Sequence, residues 1–121
     1  MPSVREHLEE LIRLAEQGRF LEAIEQFYAE AATMQENSNP PRVGLPALLE
    51  NERKVLARAK EVRVKRAHSF LVDGDRAAIH WEFEFIDFEG RSRRVDEIAY
   101  QLWRDGKIIR ERFFYDPASG R

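Results

Sequence analysis

Residues 103–117 read WRDGKIIRERFFYDP, and the path of the chain through Arg104-Asp105-Gly106-Lys107 decides which side chains of the C-terminal strands share a face. Apolar and β-branched residues flank an Asp-Gly pair, the signature of a β-hairpin. Read as a three-residue loop with glycine last, the turn creates a bulge that fixes the register. Ile109, Glu111, Phe113 and Tyr115 then continue the face of Val95, Glu97, Ala99 and Gln101, while Ile108 falls opposite with Ile98, Tyr100 and Leu102. A two-residue loop would turn one strand over against its neighbour, because side chains alternate with a period of two.

The same period extends back to Val62. Two more compact glycine turns, VDGD and FEGR, divide the region into strands near 62–72, 76–88, 91–103 and 107–115. Connections this short make a consecutive antiparallel meander. In the FEGR register, Ile79, Trp81, Phe83 and Phe85 join the first face, and His80, Glu82 and Glu84 the second.

Before Val62 the period is helical. Residues 3–17 form a helix opened by a Ser3/Glu6 capping box, with Val4, Leu8, Leu11, Ile12 and Ala15 on one stripe and Gly18 as the stop. A second helix, about Phe20 to Ala29, places Phe20, Ile24, Phe27 and Tyr28 together. Thr33–Glu36 is a short strand, ended by Asn39-Pro40-Pro41. A third helix runs from near Pro46 to about Lys60, with Glu50 and Lys54 paired on its wet side. Three helices and a curled antiparallel sheet give an α+β layout with the helices on one sheet face, and residues 1–121 read as one domain.

Composition narrows the function. The chain has 121 residues, 35% charged and 43% apolar, as a fully folded protein of one core requires. Its 22 acidic and 20 basic residues nearly cancel, to −2, so a nucleic-acid partner is not expected. The short basic run RSRRV at 91–95 reads as a solvated hairpin tip. With no cysteine, disulfides, thiolate metal sites and thiol nucleophiles are excluded. The N-terminal stretch lacks a signal-peptide core and no apolar run approaches membrane-spanning length, so a cytoplasmic protein with no membrane contact is expected.

Glu36 is the leading candidate acid. Set beside aromatic and apolar side chains, with Met34 on the same side of its strand, a carboxylate loses hydration and becomes a group able to move protons. The alternative is a strand-end glutamate that is solvated or paired with Arg42. Glu97 and Gln101 lie on the presumed pocket face, four residues apart with Ala99 between them on that face. Glu97 there needs either a use or a salt bridge, to Arg66 or Arg112, and Gln101 either orients a ligand or satisfies backbone. Trp81, Phe83, Phe113 and Tyr115 are candidates for an aromatic pocket wall, though core packing is the commoner use of such residues. His68 and His80 sit on neighbouring strands, their shared face left open by the VDGD register; half-exposed polar roles suit them better than proton shuttling. His80 with Glu82 supplies too few ligands for zinc. Ser69, Ser92 and Ser119 lack a nucleophile elbow, and no phosphate-binding glycine motif occurs.

The order of elements, with the segments FYAEAATMQENSNPPRVG (27–44) and WRDGKIIRERFFYDP, resembles the nuclear transport factor 2-like superfamily, within it the SnoaL-like proteins and ketosteroid isomerases. The resemblance implies a cone-shaped curved sheet wrapped around the three helices, with an apolar pocket at the open end. In the isomerases a carboxylate on the short strand after the second helix is the general base, and Glu36 matches that position. Their oxyanion donors, a tyrosine of the first helix and an aspartic acid of the third long strand, are matched by Ile12 and Ala99, which donate nothing. The steroid-isomerase mechanism is therefore not implied. What is implied is a small SnoaL-like enzyme, working without a cofactor by proton transfer on a modest apolar carbonyl, epoxide or polyketide-like substrate. The alternative is a non-catalytic module of the same fold, for hydrophobic-ligand binding or dimerisation. Both sheet faces carry apolar rows, so a homodimer through Ile98, Tyr100, Leu102 and Ile108 is expected.

Overall fold

A computed structural model of the chain describes residues 2–119, the side chains of Arg66 and His68 excepted. Its helices are α1 (Val4–Glu16), α2 (Phe20–Phe27) and α3 (Leu45–Ala57). Its strands are β1 (Tyr28–Glu36), β2 (Arg42–Val43), β3 (Glu61–Asp73), β4 (Arg76–Ile86), β5 (Ser92–Arg104) and β6 (Lys107–Tyr115). They form one six-stranded sheet in the order β2-β1-β6-β5-β4-β3. The four long strands make the expected meander, and the α+β architecture of helices packed on one sheet face holds.

The capping box forms as read. The Ser3 hydroxyl accepts the Glu6 amide at 3.2 Å while the Glu6 carboxylate accepts the Ser3 amide at 3.1 Å. This places Leu8, Leu11, Ile12 and Ala15 in the core. The third helix is shorter than expected, and its Glu50 meets Arg53 at 3.8 Å rather than Lys54.

The second helix also stops early. Tyr28 and Ala29 belong to β1, which is nine residues long rather than four. The reason is tertiary. β1 pairs in parallel with β6, Tyr28 opposite Ile108 and Thr33–Glu36 opposite Arg110–Phe113, with a register shift between. Ladder hydrogen bonds to a strand eighty residues away are invisible to local periodicity, which placed Tyr28 on the helix.

The three hairpins differ in ways that matter for the faces. FEGR behaves as read: Asp87 donates its amide to the Arg91 carbonyl at 2.9 Å across a three-residue loop whose last member, Gly90, has φ +84°. RDGK does not. Arg104 pairs directly with Lys107, so the loop is the two residues Asp105 and Gly106, both with positive φ (51° and 77°), the type I′ pattern. The strand is not turned over because a bulge follows at once: Trp103 pairs with Ile108, but Leu102 with Arg110. Ile109 is the extra residue, so Ile108 moves from the outer face into the core, where it is fully buried. Beyond the bulge the register is the expected one, with Gln101 opposite Glu111, Ala99 opposite Phe113 and Glu97 opposite Tyr115. VDGD likewise closes through two residues, with Gly74 at φ +61°.

The inner face therefore carries Ile79, Trp81, Phe83 and Phe85, with Val95 and Ala99 across the ladder, and these pack against the helices. The outer face carries His80, Ile98, Tyr100 and Phe114, all partly or largely exposed. Glu82 is also on the outer face but is buried, with the Arg94 guanidinium 3.2 Å from its carboxylate.

A candidate active site in the cone

Between the helices and the inner sheet face lies a small apolar cavity of ≈ 70 Å³. Phe20 and Ile24 of α2 form one wall; Trp81, Phe83 and Phe113 of the sheet form another. The Trp81 and Phe83 rings lie 5.5 Å apart at an interplanar angle of 25°, a flat aromatic surface. Three ionisable side chains are among its described lining residues: Tyr28, Glu52 and Glu111.

Glu111 is 2% exposed and is the centre of a buried polar chain. One carboxylate oxygen accepts the Tyr28 hydroxyl in a short hydrogen bond, and the other accepts the Gln101 amide at 2.7 Å. Gln101 in turn accepts the indole N–H of Trp103 at 2.9 Å. An indole can only donate, so it holds the carbonyl of Gln101 toward itself and the amide nitrogen toward Glu111. Trp103 is fixed by ring contacts, stacked on His7 at 6.0 Å and edge-on to Phe27 at 6.1 Å. Burial penalises the charge on Glu111, and the two donors offset that penalty. No described buried side-chain polar atom is left without a partner.

Glu36 sits elsewhere. It faces the same side as Met34, as expected, but is not among the residues lining the cavity. Its carboxylate accepts the Tyr115 hydroxyl at 2.6 Å and meets the Arg42 guanidinium at 2.6 Å, the ion-paired alternative of the sequence reading. The side chain keeps 16% of its accessibility, at the rim beyond Phe113, its register partner in β6. Asn37, at φ +51°, ties the corner by accepting the Tyr115 amide at 3.0 Å.

The other expected residues divide. Trp81, Phe83 and Phe113 line the cavity. Gln101 is fully buried behind it, and Tyr115 holds Glu36. Glu97 is buried on the inner face between Trp81 and Tyr115 in register. Its expected partner Arg112 points to the outer face, where its Nε donates to the Asn37 carbonyl at 2.9 Å; the side chain of the other, Arg66, lies outside the described residues. His80 is on the outer face, 3.1 Å from Asp96, and the side chain of His68 also lies outside the described residues.

Sequence reasoning missed Tyr28 and Glu52, and placed Glu111 on the inner face without singling it out. The signal was present for Glu111: in the sequence reading it is the one acid in an inward row otherwise made of Ile109, Phe113 and Tyr115. For Tyr28 there was no local signal, since its position depends on the parallel pairing with β6.

Known structures share this architecture. A candidate SnoaL-like polyketide cyclase from Mesorhizobium loti is 23% identical, with 94% of this chain and 100% of that one aligned and a TM-score of 0.77. A Xanthomonas campestris protein of unknown function with a cystatin-like fold is 17% identical over 98% and 95% of the two chains, with a TM-score of 0.84. TerC, crystallised with polyporic acid, is 19% identical over 93% and 94%, with a TM-score of 0.78. At these identities the likeness establishes the fold. No curated protein matches the chain. Residues 8–111 match the model of the SnoaL-like domain, and the chain belongs to that family.

Proposed function

We propose that the protein is a small enzyme that moves a proton on an apolar carbonyl, epoxide or polyketide-like molecule held in the cone, without a cofactor. The observation that carries this reading is the Tyr28–Glu111 pair in the wall of a largely apolar cavity. For a carbonyl substrate, the Glu111 carboxylate takes a proton from the carbon beside the carbonyl and returns it to a second carbon, so the carboxylate is regenerated. The Tyr28 hydroxyl is the neighbouring donor able to turn to the substrate oxygen as charge develops there. The flat surface of Trp81 and Phe83 suits a ring. Glu36 is assigned a positioning role in this reading, holding Tyr115 and the end of β1. TerC, with the same fold, was crystallised with polyporic acid, and this supports an aromatic organic ligand.

A binding module without chemistry is the second reading, favoured by one observation: both Glu111 oxygens already accept hydrogen bonds from the protein. The two separate by hydrogen–deuterium exchange at the carbon next to the carbonyl, followed by NMR in D2O over a panel of cyclic and aryl ketones. Exchange in the wild type, reduced on the order of 10²-fold or more by Glu111→Gln and little by Glu36→Gln, supports the enzyme. A ketone that stabilises the fold yet exchanges no faster than in buffer supports binding alone. Loss of exchange in Glu36→Gln with retention in Glu111→Gln would return the chemistry to Glu36.

A homodimer in the cytoplasm belongs to the same proposal. The face is now Ile98, Tyr100 and Phe114, between 41% and 42% exposed, with Ile108 removed to the core. Charged replacements at Ile98 and Phe114 are expected to halve the mass seen by light scattering, and a monomeric wild type would refute the dimer.

A further inference from the structure

The outer face of the sheet has a second concavity, of ≈ 280 Å³, where β1, β6, β5 and β4 lie side by side. Its basic side chains are Arg76, Arg110 and Arg112, one strand each for the first and the latter two. Register fixes their spacing. Leu102 pairs with Arg76 on one side and Arg110 on the other, and Tyr100 pairs with Arg112. Two strand spacings separate Arg76 from Arg110 by about 10 Å at the backbone, and two residues separate Arg110 from Arg112 by about 7 Å. Long side chains starting at these positions can close on one small group above Leu102, which is only 9% exposed despite its outward position.

Arg76 and Arg112, like Arg5 and Arg93, lie over aromatic rings. Arg13, Arg19, Arg42, Arg63, Arg91 and Arg94 each contact a carboxylate. Among the described residues none of the groove arginines does. Arg76 donates to the Tyr100 hydroxyl at 3.3 Å, and Arg112 to the Asn37 carbonyl at 2.9 Å. Glu111, between Arg110 and Arg112 in sequence, turns its carboxylate inward to Tyr28 and Gln101. The groove thus gathers three guanidinium groups with no ion pair among the described residues, Arg76 lying over the Tyr100 ring at 5.8 Å and Arg112 over the Phe114 ring at 4.5 Å.

We propose that this groove is a second binding site, distinct from the cone, for a phosphate group, either free or carried as a phosphomonoester. Guanidinium forks match phosphate oxygens, and an anion with three or more accessible oxygens can serve donors from several directions, where one carboxylate is saturated by a single fork. Thr33, opposite Arg110 in register, adds a hydroxyl at the groove wall. Pro41 and Leu102 give apolar surface for the organic part of an ester.

The test is titration of the full chain with sodium phosphate, and separately with phenyl phosphate, at constant ionic strength against sodium chloride, following arginine Nε–H signals by NMR. The expected result is saturable movement of the Arg76, Arg110 and Arg112 signals with phosphate and none with chloride, with affinity reduced at least tenfold in Arg110→Gln/Arg112→Gln. Arg110→Gln alone serves if the double variant does not fold, because among the described residues Arg110 makes no side-chain hydrogen bond or ion pair. Tighter binding of phenyl phosphate assigns the ester, and equal binding assigns the free ion. Movement that is unsaturable or equal with chloride overturns the proposal, as does unchanged affinity in the variants. It also fails if phosphate does not saturate and the variants turn a dimer into a monomer by light scattering, since the arginines then serve a second copy of the chain.

Discussion

The Tyr28 hydroxyl donates to the carboxylate of Glu111, joining the first residue of β1 to the middle of β6 across the wall of the cone. Both groups are buried, so the bond is not traded for one with water when it is lost.

Tyr28→Phe removes that donor with little change of shape. One buried Glu111 oxygen then loses its hydroxyl donor, and the expected loss of stability is about 1–3 kcal/mol. Urea unfolding with an unchanged slope checks it. An unaffected midpoint would mean that the carboxyl is served equally well without the tyrosine.

Glu36 makes the contrasting case. It accepts from Tyr115 and pairs with Arg42, whose side chain is 39% exposed, so part of the attraction is screened. Glu36→Gln keeps an acceptor for Tyr115 but discards the ion pair. The expected change is a loss of about 0.5–1.5 kcal/mol, diminishing as salt is added. A variant more stable than the wild type at neutral pH would show instead that the charge is a burden there, as the desolvation argument from sequence alone supposed.

These two glutamates show how far the sequence could be read. Alternation placed Glu111, Phe113 and Tyr115 on the inner face, and capping chemistry placed α1, because both depend on neighbours in the chain. The assignment of Ile108 failed because two local devices, a type I′ turn and a bulge at Ile109, cancel beyond the bulge but not before it. That Tyr28 lines the cavity and Glu36 does not depends on the parallel β1–β6 pairing and its register shift, which are long-range and leave no periodic trace.

The hairpin between β4 and β5 should respond to acid. The Arg91 backbone amide, donating to Asp87, holds its carboxyl below the usual range, helped by the Glu89 amide and the Arg91 side chain against a smaller opposing effect of burial. A carboxyl whose folded pKa is depressed contributes stability above its unfolded pKa of about 4, and that contribution is lost as pH falls through the folded value. Amide signals of Glu89, Gly90 and Arg91 are therefore expected to shift together below pH 4, and Asp87→Asn to weaken that response. Signals that titrate near pH 4 or above would contradict the assignment.

The two-residue turn at Asp105-Gly106 supplies the last prediction, because a second glycine turn provides its control. Gly106 has φ +77°, and a Cβ there would lie 3.1 Å from the His7 ring nitrogen; Gly74 has φ +61° and open space around it. Alanine at either site carries the left-handed backbone penalty of about 1–2 kcal/mol. Only at Gly106 must the His7 ring also give way, and that ring is stacked on Trp103, which orients Gln101. Gly106→Ala is expected to destabilise more than Gly74→Ala and, unlike it, to change Trp103 fluorescence, read in a background where Trp81 is replaced by Phe. Equal costs with unchanged fluorescence would mean that His7 moves aside freely and that the Trp103–Gln101–Glu111 chain is held by other contacts.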